Sequence, residues 1–102
     1  MKKKPMKMYV LVRNDLDSVY RMVQGTHAVA AFYEQGNDTT WHNDTLVTLA
    51  VRNLRSLEFW KWKLGQKKKN WVGFYEPDID DQLTAIACVD SGEIFKNLPL
   101  AK

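Results

Sequence analysis

Residues 8–34, MYVLVRNDLDSVYRMVQGTHAVAAFYE, constrain the fold more than any other stretch of the chain. A short apolar run over 8–12 passes through the polar turn Arg13-Asn14-Asp15 into a long segment whose apolar residues recur at helical spacing, which predicts a strand feeding a helix. Val19, Met22, Val23, Thr26, Val29, Ala30 and Tyr33 follow the i, i+3, i+4, i+7 pattern and form the expected core face. Tyr20, Gln24 and His27 stack on a neighbouring face, where their hydrogen-bonding side chains make a candidate site. Asp15 or Asp17 can cap the helix, and the turn Gly36-Asn37-Asp38 stops it near Gln35.

The polar stretch 38–44, DTTWHND, is expected as a surface loop that carries Trp41 and an exposed His42. Residues 45–51, TLVTLAV, are apolar on both alternate faces, the pattern of a central strand covered by helices on both sides. Residues 53–64 predict a second amphipathic helix, with Asn53 as N-cap, Leu54, Leu57, Trp60 or Lys61, and Leu64 turned inward, and Gly65 as its stop. Trp60 and Trp62 fall on different faces, so one packs inward and the other is exposed. Residues 71–76, WVGFYE, read as a third strand ended by Pro77, and 83–89, LTAIACV, as a fourth; at most one helical turn follows before Pro99. The order β-α-β-α-β-β defines a single α/β domain over 1–102, a mixed four-stranded sheet packed against helices. The helical links are long enough for crossovers, so the first three strands should be largely parallel. The short link from the third to the fourth makes that pair antiparallel.

A chain of 102 residues can bury one core without metals or cross-links. Its lone cysteine, Cys88, lies in an apolar run and reads as a small buried hydrophobe in a reducing compartment. The N-terminal MKKKPMKMYVLV has too short an apolar run for a signal peptide or a membrane span, so a soluble cytoplasmic protein is expected, with 1–5 as a basic, flexible tail. The acidic turn 78–81 fails as a calcium loop, because Leu83 and Val89 stand where that loop needs glycine and glutamate. Phosphate-loop, nucleophile-elbow and zinc motifs are absent from the sequence. Lysines are grouped at Lys2, Lys3 and Lys4 and at Lys67, Lys68 and Lys69, with Lys61 and Lys63 upstream of the second group. Such groups can follow a phosphate backbone.

MYVLVRNDL, followed by a helix with VQGTHAVAAFY, resembles the opening of the type II peptidyl-tRNA hydrolase family, where a strand K-M-V-x-V-x-R-x-D-L precedes a helix with A-A-Q-x-x-H-A. TLVTLAVRNLRSLEFW is similar to that family's second strand and helix, and WVGFYEPDIDDQLTAIAC occupies the place of its last two strands. The resemblance covers nearly the whole chain and rests on Arg13, Asp15, Leu16, Gln24, His27 and Ala28 in order. It implies hydrolysis of the ester between a peptide and the tRNA 3′ end, without metal or cofactor, which returns stalled tRNA to translation. It also implies tRNA as partner, with Arg13, Arg21, Lys67, Lys68 and Lys69 to contact it, and allows a homodimer.

The chain departs from the family at two points. Tyr20 stands where the family places a lysine, and the D-A-G-x-T turn after the third strand is missing, so Glu76, with Asp78 close by, is the positional candidate for its aspartate. Thr84 matches the threonine that opens the fourth strand. A mechanism compatible with these residues uses Glu76 or Asp78 as general base on a water, Thr84 and Gln24 as positioners, and Tyr20 or His27 as proton donor to the leaving ribose oxygen. The alternatives are a catalytically inactive tRNA-binding or RNA-binding relative, and a protein-binding one whose exposed aromatics, such as Trp41 or Trp62, dock a partner.

Overall fold

The computed structural model of the chain describes residues 5–36 and 40–102. The elements run β1 (Lys7–Arg13), α1 (Ser18–Glu34), β2 (Leu46–Val51), α2 (Leu54–Gln66), β3 (Asn70–Glu76) and β4 (Gln82–Asp90), with single 3-10 turns at Pro77–Ile79 and Glu93–Phe95. This is the expected α/β domain and element order. Lys2, Lys3, Lys4, Asn37 and Asp38 lie outside the described residues. Among the described residues no helix is long and apolar enough to cross a membrane.

The sheet order is β2-β1-β4-β3. β1 pairs parallel with β2 and antiparallel with β4, and β4 pairs antiparallel with β3. The first three strands therefore point the same way, as expected, but β4 is inserted between β1 and β3. Strand alternation sends Met8, Val10, Val12, Val72, Ala85, Ala87 and Val89 to a core under α1, with Ala28 and Phe32. Tyr9, Leu11, Leu49, Val51, Leu83, Ile86 and Cys88 face the second core, closed by Leu57 and Leu64 of α2 and by Phe95.

Local chemistry sets the ends as the sequence predicts. Asp17 caps α1 by accepting from Tyr20 N at 3.0 Å, and Asn53 caps α2 by accepting from Ser56 N at 3.1 Å. Gly36 stops α1 with φ +71°, a conformation that costs glycine little. Gly65 does not stop α2: the helix runs on to Gln66, and Lys68 takes the left-handed turn with φ 54°.

Three expectations about packing are overturned. The first is the inner face of α1: Val19 and Met22 are 65% and 67% exposed, and Val23 and Tyr33 are exposed as well. The helix buries Gln24, Gly25, Ala28 and Phe32 instead. Gly25 lets the helix lie close to β1, since a Cβ there would sit 3.2 Å from Val10 Cγ1. Gln24 can be buried because both ends of its amide find partners, a condition no periodicity reveals.

The second is β2, which is an edge strand rather than a central one. α1 lies over β4, β3 and β1, which leaves a cleft of about 630 Å³ beside the helix, floored by Val10, Val12, Leu46 and Thr48. The third is Trp41, which is 6% exposed within the α1 core and donates its indole N–H to Thr45 O at 2.7 Å, so it cannot serve as a docking aromatic. Trp62 is exposed and Trp60 half-buried, the expected division. Cys88 is buried, which pushes its thiol pKa up to about 12 and leaves it inert.

Candidate functional site

The six residues read as catalytic come together where α1 crosses the carboxyl end of β3 and the start of β4. Gln24, fully buried on α1, donates through Nε2 to Glu76 Oε1 at 2.9 Å and accepts at Oε1 from Thr84 Oγ1 at 2.6 Å. Glu76, the last residue of β3 and 9% exposed, also accepts at Oε2 from the backbone N–H of Asp78 at 3.3 Å. His27, exposed one turn further along α1, stacks on Phe74 with ring centroids 4.6 Å apart and planes 8° from parallel. Tyr20 is half-buried one turn before Gln24, within the field of Glu76, Asp78 and Asp17.

A break in the strand register puts Thr84 in this network. Phe74 pairs with Ala85 and Tyr75 with Leu83, so Thr84 has no opposite number on β3. Ala85 faces α1 and Ile86 faces α2, and strict alternation would turn Thr84 towards α2. The extra residue re-aims it to Gln24, a recognised use of β-bulges beside functional sites. Arg13 secures the strand just before the bulge: it is 5% exposed and donates to Gln82 Oε1 at 2.9 Å and Leu83 O at 3.0 Å, with Asp15 held in a bidentate pair.

The Thr84 hydroxyl is buried and its bond is short. Thr84→Val leaves the Gln24 carbonyl oxygen without a donor, so a loss of about 1–3 kcal/mol is expected in urea unfolding. Thr84→Ser keeps the hydroxyl and should lose only about 1 kcal/mol for the missing methyl. Equal losses in the two variants would contradict the hydrogen-bond assignment.

The electrostatics set an ionised group and a protonated one side by side. The Gln24 amide, then the Asp78 N–H and the nearby His27, hold the Glu76 carboxyl below the usual carboxylate range against the opposing pull of burial. Burial, and then the charges of Glu76, Asp78 and Asp17, push the Tyr20 phenol above its ordinary value. An ionised carboxylate thus sits near a phenol kept protonated. Both groups therefore rest at neutral pH in the protonation states that a base and an acid need, while each shift leads away from neutrality and weakens the group as a proton-transfer partner.

The cations expected to meet tRNA are distributed differently. Arg13 is spent inside the fold, and Arg21 donates to Asn14 and to Lys102 O at 2.7 Å, holding the last described residue against α1. Lys69 pairs with the buried Asp90 at 3.0 Å. Lys67 and Lys68 are exposed but precede β3, while Glu76 ends it, so roughly 20 Å of strand separates them from the polar cluster at about 3.3 Å per residue. Sequence reading passed over Phe74, which seats His27, and Asp17, whose charge reaches Tyr20. Alternation could have placed Phe74 on the α1 side of the sheet; nothing in the sequence announces the bulge.

No protein-family model matches the chain, and no curated protein matches it. Among solved structures, a protein of unknown function from Agrobacterium tumefaciens strain C58 is similar to it with a TM-score of 0.71 at 12% identity, over 95% of this chain and 98% of that one. At that identity the likeness establishes a shared fold.

Proposed function

We propose that the chain is a peptidyl-tRNA hydrolase-like esterase of translation, acting in the cytoplasm on the ester between a peptide and the tRNA 3′ end. The observation that supports this reading best is the joined set Gln24, Glu76 and Thr84, drawn from three elements onto one spot beside Tyr20. Glu76 takes a proton from water, and the hydroxide forms its bond to the ester carbonyl carbon. The bond to the ribose oxygen then breaks, and that oxygen takes the proton of Tyr20. Proton transfer from Glu76 restores the phenol. Gln24 and Thr84 hold the carboxylate in place, while Asp78 contributes its backbone N–H and its charge. His27, on its Phe74 platform, lines the site.

Tyr20→Phe tests the donor. Loss of a positioned general acid is expected to slow single-turnover hydrolysis by about 10² or more, with tRNA binding unchanged. An unaltered rate would transfer the role to His27.

A second reading, a catalytically inactive tRNA-binding relative, is favoured by two observations: within a single copy the exposed Lys67 and Lys68 stand far from the polar cluster, and Tyr20 carries no fixed positive charge. That reading predicts tRNA affinity that falls steeply with salt, and no turnover.

A further inference from the structure

An open four-stranded sheet has two edges, and the chain treats them differently. Along β2 the C-terminal stretch runs antiparallel. Ala50 N donates to Pro99 O and Ala101 N to Thr48 O, each at 2.9 Å, and Leu49 bridges to Leu100. Along the outer side of β3 no described residue forms a strand pairing over 71–75. Proteins usually guard such an edge with proline, an internal charge, a bulge in the edge strand or a short strand. β3 is seven residues long, has no proline or charge within 71–75, and leaves its register break to β4.

Its charges are collected at the two ends instead, with opposite signs. Exposed Lys67 and Lys68 precede the strand, and exposed Asp78, Asp80 and Asp81 follow it. Parallel addition of a second β3 would set lysines beside lysines; antiparallel addition sets lysines against aspartates. We infer that β3 is a homodimer edge, where a second copy adds its own β3 antiparallel about a two-fold axis at Gly73 and Lys68 of each copy meets Asp78 of the other. A closed two-fold pair is the commonest form of assembly, and it uses the same patch twice.

In this register Trp71 lies opposite Tyr75 and Val72 opposite Phe74, cross-strand pairs of the kind that stabilise sheets. Glycine at the axis brings no side chain between the two copies. The pairing also resolves the placement of the lysines. Those that lie at the wrong end of β3 within one copy come to the acidic end of the other, beside the carboxylates around Tyr20. This consequence for the site rests on the hydrolase reading; the pairing itself does not.

Sedimentation velocity of the full chain over a range of concentrations is the test. The wild type is expected to dimerise. Lys68→Asp and Asp78→Lys should each weaken the dimer by at least about tenfold, because each sets like charges face to face, and the double variant should restore it. A wild type that stays monomeric at every concentration, or a dimer indifferent to both reversals, overturns the inference. Zero-length carbodiimide coupling of mixed isotopically labelled wild-type chains checks the register without any variant. Along one chain β3 keeps Lys68 and Asp78 roughly 20 Å or more apart at about 3.3 Å per residue, so a link between them must join two copies. Failure to find it in the dimer also overturns the register. If hydrolysis is detected, its rate per chain should fall as the dimer dissociates on dilution. If no hydrolysis is found, the pairing stands on sedimentation and coupling alone, and the functional reading fails separately.

Discussion

Glu76→Gln is expected to slow single-turnover hydrolysis of peptidyl-tRNA by about 10²- to 10⁴-fold, the usual contribution of a positioned base, with the fold retained. Gln keeps the length of the side chain and can still accept from Gln24 Nε2, the bond that joins the two elements. It removes the negative charge and presents an N–H₂ group where Oε2 accepted from Asp78 N, so the cap of the following 3-10 turn weakens while the core is untouched. Circular dichroism and thermal unfolding separate the two effects: a variant that is folded and slow supports the base, and one that is folded and fast removes it.

The pH dependence follows from the same contacts. Because the folded-state pKa of Glu76 is depressed, the carboxylate stays ionised as pH falls through the ordinary carboxylate value of about 4.3. The acid limb of kcat/KM should therefore lie below that value and be missing from the residual activity of Glu76→Gln. The sign for stability is the same. The contribution of the native contacts to Glu76 is present above the unfolded pKa and is lost as pH falls through the lower folded one. The raised pKa of Tyr20 places the alkaline limb above the ordinary tyrosine value, so the rate should be flat across neutral pH. A depressed base is also a weak one, so Glu76 contributes more by orienting water than by proton affinity.

The second large effect is on the fold. Phe32→Ala is expected to cost about 3–5 kcal/mol, since the ring is fully buried between α1 and the sheet. For a chain of this size that is a fall in Tm of roughly 15–30 °C. Met22→Ala and Val19→Ala, on the face that helical periodicity marks as core, should stay within about 0.5 kcal/mol of wild type. If Met22→Ala proves as costly as Phe32→Ala, the orientation of α1 is wrong, and with it the seat of Gln24.

That contrast shows where sequence reasoning reaches and where it stops. Element types and most ends were legible because they rest on local chemistry: Asp17 and Asn53 as caps, Gly36 as a stop, Pro77 as the end of β3. The facing of α1 was not legible. It depends on a polar residue buried by partners 52 and 60 positions away in the chain, and apolar spacing assigns such a residue to solvent. The place of β2 at the sheet edge was hidden for a similar reason. On one side its Leu49 and Val51 join the second core, but its other side borders the cleft beside α1, and order within a sheet is a non-local property. Trp41 sits in a polar loop, yet its ring belongs to the core under α1.

The candidate site was legible only in part. Gln24, Glu76 and Thr84 stood out through likeness to a family, whereas β propensity alone reads Thr84 as an ordinary strand residue. The bulge that turns its hydroxyl towards Gln24 leaves no mark in the alternation of LTAIACV. Arg13 carries the likeness as well, but its guanidinium is taken up by Asp15, Gln82 and Leu83, so the residue reads as a brace for β4.

The central claim, that the Gln24, Glu76 and Thr84 network serves ester hydrolysis, is tested most directly by single-turnover hydrolysis of purified peptidyl-tRNA by the wild-type chain beside Glu76→Gln. A wild-type rate well above the uncatalysed rate, lost in the variant, is the predicted result. A wild-type rate equal to the uncatalysed one would contradict it.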